Sequence, residues 1–476
     1  MMKSKIVENF IEKWHENNIS YCHWKSIDHL KEAYEGVTDL DILVDFLDMN
    51  EAEKQILDSG FIRMKTSVLR TYPGVEDYIS YDSVNDKFIH LHLHYQLVLG
   101  DRWVKAYRLP IEKSILERRV WNDEYKTWVV SAEDELVMFI ARMTVKFKKP
   151  FQNKKVLNEI DDIKKRFNEN YSLDLVTDDY PKSFIILSKE ILSNQILTIS
   201  TNIARKDFVS FRRMSYLKFK FLSSFRFLYR VFVELNRRKL NNFSFGRRQF
   251  STSGFVVAFV GMDGSGKTSA IERNARFFAK QINTKSVFLG SGKSGAPWYR
   301  KLIFNIMGSK PKLKSHKKIK TDKKYPFYYL VWVSMFLNDK LKRLNQIFKY
   351  KSNSCMVLVD RWPQATVENT FDGTRLQSNT NNTFFMNYTK KLEKNVLENA
   401  ETFYPDIIFR FKVSPEKSLE RKPDELTLEQ AKEAEKNIDI IKWPRYSKII
   451  DIDSNSSIDD VDKAVRKAIW NTLINK

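Results

Sequence analysis

Over residues 251–476 the chain alternates short apolar or β-branched runs with stretches of helical periodicity. The runs are FVVAFV (255–260), SVFLG (286–290), CMVLVD (355–360), DIIFRFKV (406–413) and KIIDID (448–453). The helical stretches are Thr268 to Lys280, about Tyr325 to Phe348, and DDVDKAVRKAIWNTL (459–473). Strands that are apolar on both faces and alternate with helices predict a parallel sheet covered on both sides, hence a doubly wound α/β domain.

Upstream the pattern is mixed. Ile6, Phe10, Ile11 and Trp14 recur at helical spacing, LDILVD (40–45) and FIHLHLHYQL (88–97) read as strands, SVND (83–86) as a hairpin turn, and residues after Ser131 as helices. This predicts an α+β domain. Between the two, Leu217, Phe221, Phe225, Leu228, Phe232 and Leu235 share one side of a helix that has Ser223, Arg226, Arg230 and Glu234 opposite. Such a helix either links two domains and packs on one of them, or lies on an anionic membrane surface. NNFSFGRRQFSTSG (241–254) is polar and turn-rich and marks a boundary near residue 250. The expected division is 1–130, a helical region and basic aromatic connector over 131–250, and 251–476. PFYYLVWVSMFL (326–337) is the most apolar run, but it falls short of the roughly 20 residues that span a bilayer and predicts a buried helix.

Composition sharpens this picture at three points. With 476 residues, 42% of them hydrophobic, the chain can bury several cores. Cys22 and Cys355 are its only cysteines, too few for a disulfide framework and expected to be inert core residues. The N-terminus has no apolar core of signal-peptide length, so a cytoplasmic location is expected, with peripheral membrane attachment as an addition to it. A formal charge of +22 calls for an acidic partner: a phosphorylated small molecule, an anionic lipid surface or, as the weakest of the three, nucleic acid. The excess concentrates in residues 205–248 and 310–324. Self-association is compatible with all of these.

The candidate chemistry begins at GMDGSGKTS, directly after the first apolar strand. Gly261, four residues, then Gly266, Lys267 and Thr268 match the G-x-x-x-x-G-K-[ST] pattern. Glycines at Gly261, Gly264 and Gly266 let successive backbone N–H groups turn inward and phosphate oxygens approach closely. Ser265 and Ser269 complete the loop. In this pattern Lys267 serves the β- and γ-phosphates of ATP and the Thr268 hydroxyl serves Mg²⁺. A second cluster, GSGKSG (290–295), lacks the leading glycine and is a decoy.

GMDGSGKTS resembles the P-loop of thymidylate kinases and their relatives. VLVDRWP (357–363) is similar to that family's Asp-Arg-aromatic motif, PDIIFRFKVSPEKSLERK (405–422) to its strand, helix and lid, and PRYSKIIDIDSNSSIDDVDKAVRKAIW (444–470) to its closing strand and helix. The resemblance implies a P-loop NTPase-type fold and ATP- and Mg²⁺-dependent phosphoryl transfer to a nucleotide or other phosphorylated acceptor. It assigns Asp263 to the acceptor's sugar, Asp360 to the magnesium or acceptor side, Arg361 to the acceptor phosphate and Arg421 to the lid over the phosphates. Lys422 and Arg445 are weaker candidates. PQATVENTFDGTRL (363–376) departs from the family's pyrimidine-pocket signature, so the acceptor stays open. A sugar or lipid-linked glycan kinase of surface-polysaccharide biosynthesis and a nucleotide-sensing membrane-docking protein are the alternatives.

Asp39 and Asp41 stand two apart on the run that continues as Ile42, Leu43 and Val44, so a strand would direct both carboxylates to one face, where they could hold Mg²⁺. With Ser26 in WKS, LHYQL (93–97) and the helical run from Ser131, the segment resembles a bacterial family of uncharacterised nucleotidyltransferases. That superfamily uses a third carboxylate, and the matching strand offers His92 instead, between His90 and His94. The resemblance leaves two expectations open, an active transferase or a substrate-binding relic, and imidazoles in place of an acid suit a softer metal or a structural role.

Overall fold

The computed structural model describes residues 3–66, 71–101, 103–167, 172–193, 198–239, 244–290, 325–423 and 426–476, in two units, Met1–Asn242 and Phe243–Lys476. The basic segment 310–324 and, apart from Gly290, the GSGKSG cluster lie outside the described residues. The chain is mixed α/β with parallel-strand sheets.

The N-terminal unit runs α1 (Lys5–Glu16), β1 (Tyr21–His23), α2 (Leu30–Tyr34), β2 (Leu40–Val44), α3 (Met49–Asp58), β3 (Ile62–Lys65), β4 (Val75–Asp82), β5 (Lys87–His94), β6 (Leu97–Leu99), β7 (Tyr107–Leu109), α4 (Glu112–Glu117), β8 (Val120–Asn122), β9 (Thr127–Val129), α5 (Ala132–Lys146), α6 (Lys154–Lys164), α7 (Lys182–Leu192), α8 (Thr198–Asp207) and α9 (Tyr216–Lys239). Its main sheet has the order β3-β4-β5-β2-β1-β9-β8. The β4–β5 hairpin closes at the expected turn, where the Asp82 carboxylate accepts from the backbone N–H of Val84 and Asn85. Parallel pairing of β2 with β5 sets Asp41 opposite His92. Ser131 caps α5 by accepting from the Asp134 N–H. Around α1 the core is aromatic: Val7, Phe10, Ile11 and Trp14 are buried, with the Trp14 ring 5.2 Å from Phe10 and 4.9 Å from Tyr21, both edge-on.

Helix α9 turns its amphipathicity inside out. Ser223 donates to Asp101 at 3.0 Å and Arg226 to the Trp103 carbonyl at 3.0 Å, so the polar side faces the unit. The apolar stripe is exposed, from 46% at Leu235 to 71% at Phe221 and 80% at Leu217. The helix does pack on a protein surface, but through the side opposite this stripe, where the buried Val233 and ring contacts of Phe227 with Trp103 and of Phe219 with Tyr107 accompany the hydrogen bonds.

The C-terminal unit runs β10 (Gln249–Phe250), β11 (Phe255–Gly261), α10 (Lys267–Phe278), β12 (Thr284–Phe288), α11 (Phe327–Ser352), β13 (Met356–Asp360), α12 (Phe384–Thr402), β14 (Ile407–Lys412), α13 (Pro415–Arg421), α14 (Leu428–Ile440), β15 (Lys448–Asp453) and α15 (Ile458–Ile474). The five strands predicted from the apolar runs form one sheet of order β12-β13-β11-β14-β15, parallel at every step. β11 is buried along its whole length. Val256, Ala258 and Val260 point to one face and pack with Trp332, Val333 and Leu337 of α11 and Val396 and Ala400 of α12. The run at 326–337 is part of a buried helix, as predicted, although Phe327 and Tyr328 stay exposed. Among the described residues no helix is long and apolar enough to cross a membrane. Cys22 and Cys355 are both free and buried.

Trp14 is fully buried and donates its indole N–H to the Ala52 carbonyl. Trp14→Ala should therefore destabilise the N-terminal unit by about 3–5 kcal/mol, read from the denaturant midpoint of that unit's transition; a loss under about 1 kcal/mol would contradict this packing.

Candidate active site

The loop between β11 and α10 starts from a strand hemmed in on both sides. β11 pairs with β13 through Phe259 and Asp360 and with β14 through Gly261 and Phe411. A Cβ on Gly261 would stand 2.8 Å from the Phe411 carbonyl oxygen, and one on Gly264 would stand 2.6 Å from that of Ser418. Gly264 and Gly266 have φ of +82° and +81°, the left-handed region that side chains resist. The loop thus takes its path because it has no side chains at these points, and its amides and the N-terminus of α10 share one concavity.

Lys267 is 5% exposed and its ammonium donates to the Met262 carbonyl at 2.9 Å, 3.7 Å from the Asp263 carboxylate. Burial, then the charge of Arg361, lower its pKa from the usual lysine value. Thr268 Oγ1 donates to Asp360 Oδ2 at 2.7 Å. Asp360, at the end of β13, is 4% exposed, and burial raises its pKa against the pull of Lys267 and the Thr268 hydroxyl. Its Oδ1 and the buried Ser265 Oγ are without a hydrogen-bond partner among the described residues, while Thr268 and Ser269 are exposed. Buried polar atoms are ordinarily satisfied, so these two stand out within the loop.

Arg361 follows with φ +74°, a non-glycine strain of about 1–3 kcal/mol, held by its N–H on the Phe259 carbonyl. Its guanidinium donates to Asp263 Oδ1 at 2.6 Å and lies 3.6 Å from Asp372 Oδ2, while its Nε is buried without a partner among the described residues. Burial alone would raise the Asp263 pKa, but Arg361 and Lys267 outweigh it and lower it. Ser418 donates to the Asp263 carbonyl at 2.7 Å. At the end of α13, Arg421 reaches the carbonyls of Ser454, at 3.0 Å, and Gly264, at 3.5 Å. Asp263, Lys267, Thr268, Asp360, Arg361 and Arg421 therefore converge at one end of the sheet. Arg445 does not join them; it is exposed and stacks over Tyr446.

Sequence reasoning missed Asp372 and Lys340, a buried pair at 3.0 Å that extends the line of charges from Arg361 into a pocket also lined by Phe336, Arg375 and Glu393. Asp372 stands in FDGTRL, whose Asp-Gly turn was visible, but nothing at the level of pattern singled out a lysine on the buried side of α11.

In the N-terminal unit, Asp41 lies on β2 and Asp39 just before it, half-exposed. Asp39 Oδ1 is 2.7 Å from His90 Nδ1. Asp41 Oδ1 is 2.7 Å from the Lys25 ammonium and 3.3 Å from both His92 Nδ1 and His94 Nε2. Asp77 of β4 was not anticipated, although counting out from the SVND turn places it opposite His92. Burial would lower the His92 pKa, but Asp41 and Asp77 raise it to about 9, whereas burial takes His94 down to about 4. Burial and then the charges of Lys25, Arg142 and Lys146 lower Lys105 to about 8, so positive charge gathers beside this cluster. Ser26 has φ +57° at the start of the short turn before α2.

No family model and no curated protein matches the chain. Among solved structures, a thymidylate kinase from Ehrlichia chaffeensis is similar over 46% of this chain and 99% of its own, at 17% identity and a TM-score of 0.26.

The two loop glycines give a graded expectation. A Cβ on Gly266 would meet only Arg421 Nη1, at 3.9 Å, so Gly266→Ala should cost about 1–2 kcal/mol from its dihedral alone. Gly264→Ala adds a clash with backbone and should cost measurably more in chemical denaturation; equal losses would show that the loop path differs.

Proposed function

We propose that the C-terminal unit is an ATP- and Mg²⁺-dependent phosphotransferase of the nucleoside monophosphate kinase type, with a nucleotide or other phosphorylated small molecule as acceptor. One observation carries the reading: a glycine-lined loop whose Thr268 is hydrogen-bonded to Asp360, with Ser265 Oγ and Asp360 Oδ1 left over as buried, unpartnered polar atoms. Thr268 and Asp360 are the residues that would hold Mg²⁺, which supplies charge neutralisation between the β- and γ-phosphates when bound. The loop amides bind and orient the triphosphate. Lys267, already short of solvent, gives up little hydration on meeting a phosphate oxygen. Arg361 positions the acceptor phosphate through its unshared Nε, and Asp263 fixes the guanidinium that does so. Arg421 closes the donor side from α13. Since phosphoryl transfer leaves the protein mainly positioning and charge to supply, these residues account for the reaction. The pocket at Lys340, Asp372 and Arg375 would receive the acceptor's far end, and its mixed charges suit a polar group there.

The N-terminal unit is read as a nucleotidyltransferase-like domain that binds an anionic ligand, supported by the Asp39 and Asp41 placement and by the cations around Lys105.

Lys267→Ala should lower ATP-dependent phosphate transfer by about 100-fold or more, the size of effect expected for removing one transition-state charge contact, with the thermal midpoint unchanged. Nucleoside monophosphates and then sugar phosphates are the acceptors to assay. Turnover close to that of the unaltered protein would overturn the assignment.

The exposed stripe on α9 supports a second element of the reading, docking on an anionic membrane. Lys218, Lys220, Arg230, Arg237 and Arg238 accompany it, against Glu234 alone among acids on the helix, the composition of a helix that lies in a charged interface. The protein should sediment with phosphatidylglycerol vesicles and remain in the supernatant with phosphatidylcholine alone. Replacing Phe221 and Phe225 by Glu should abolish sedimentation; recovery of the unaltered protein in the supernatant in both cases would remove this element.

A further inference from the structure

Alternation along β5 puts His90, His92 and His94 on one face of the sheet, and the neighbouring strands bring carboxylates to that same row. Parallel pairing aligns β2 so that Asp41 faces His92, with Asp39 one step of the alternation earlier. Antiparallel pairing aligns β4 so that Asp77 faces His92 from the other side. A ligand atom from each of Asp39, His90 and His92 lies within 4.8 Å of the others.

We propose that this cluster binds one divalent transition-metal ion, zinc or a neighbour in the first row, through the Asp39 carboxylate and one ring nitrogen each of His90 and His92. The donor set decides the class. Two imidazoles and one carboxylate suit zinc and its neighbours, whereas magnesium and calcium take oxygen. Atoms bound about 2.0–2.2 Å from zinc stand up to about 4 Å apart, so small side-chain rotations bring this trio onto one ion. Asp39, half-exposed, is the ligand free to make that adjustment and gives the ion a way in.

A supporting shell is already in place. Asp77 Oδ1 lies 2.8 Å from His90 Nε2 and 3.2 Å from His92 Nε2. One carboxylate thus orients both imidazoles from the rear, the arrangement by which metal-binding histidines have their tautomer and ring plane fixed. For His90 this leaves Nδ1, 2.7 Å from Asp39 Oδ1, as the nitrogen directed to the ion. For His92 it leaves Nδ1, which lies 3.3 Å from Asp41 Oδ1; Asp41, paired with the Lys25 ammonium at 2.7 Å, therefore borders the ion rather than serving as one of its three ligands. Asp77 is accordingly a positioning residue.

The test uses the full chain, treated with a chelator, dialysed and titrated without nucleotide, so its outcome is independent of phosphotransferase activity. Zinc should bind at one ion per chain by calorimetry, cobalt should give ligand-field absorption of a four- or five-coordinate site, and millimolar magnesium should displace neither. Asp39→Asn, at a half-exposed position that should fold normally, should weaken zinc binding at least 10-fold. Asp77→Asn should weaken it by about 10–100-fold and alter the cobalt spectrum, a change that simple loss of stability would not produce. Absence of heat with zinc in the folded protein, or affinity unchanged in both variants, would overturn the proposal and leave a hydrogen-bonded His–Asp network.

Discussion

The hydrogen bond from Thr268 to Asp360 can form only where β11 and β13 run side by side, parallel and in register, and the C-terminal unit is arranged so that they do. A parallel neighbour cannot be reached by a hairpin; the chain must leave the sheet and return over one face. The residues that follow β11 supply α10 on one such excursion, and α11 packs Val333 and Leu337 against the sheet on another. Because β13 lies on one side of β11 and β14 on the other, the chain's order reverses at β11. The loop that leaves its C-terminal end therefore opens into the crevice where doubly wound sheets place ligands. Core packing, strand order and the position of the hydroxyl are consequences of one topology.

Both units bury charge, and they solve the same problem differently. At the end of β11 the cations Lys267 and Arg361 and the acids Asp263, Asp360 and Asp372 neutralise each other in a line, and the strained backbone at Arg361 aims its guanidinium along that line. Burial of an unpaired charge is prohibitive, whereas paired and hydrogen-bonded charges are tolerated and preorganised. In the N-terminal unit the histidine row takes the place of arginine, interleaved with Asp39, Asp41 and Asp77. Imidazole can be neutral or charged and can carry a metal or a proton, so this arrangement keeps options that a guanidinium forecloses.

Whereas the largely exposed edge strand β15 was read from its place in the alternation of strands with helices, continuous apolar runs made β11 and β13 legible, because strands buried along their whole length leave a signature independent of partners. The Gly264 and Gly266 positions were legible for the same kind of reason: their requirement is local, in the backbone. Asp372 and Lys340 were not, since a buried ion pair joins residues 32 apart in sequence and has no periodic trace. Asp77 stands between these cases. Its partner His92 follows from counting outward from SVND, so it was recoverable once the hairpin was placed, but only as a second step.

Helix α9 shows where pattern fails in kind. Its periodicity correctly foretold an amphipathic helix, yet periodicity is silent on which side meets the protein. Apolar stripes usually pack because area removed from water contributes about 25 cal/mol per Å²; here the opposite side is held down, by polar bonds from Ser223 and Arg226 together with the buried Val233 and the Trp103–Phe227 ring contact. A helix fixed in that orientation keeps Phe221, Phe225 and Leu228 in water. These side chains are in water in the unfolded chain as well, so leaving them exposed forgoes a gain without opposing folding, and part of that gain, less the cost of association, goes to whatever covers the stripe. An exposed apolar face is in this sense stored binding free energy. Basic residues along the same helix give the stripe positively charged neighbours.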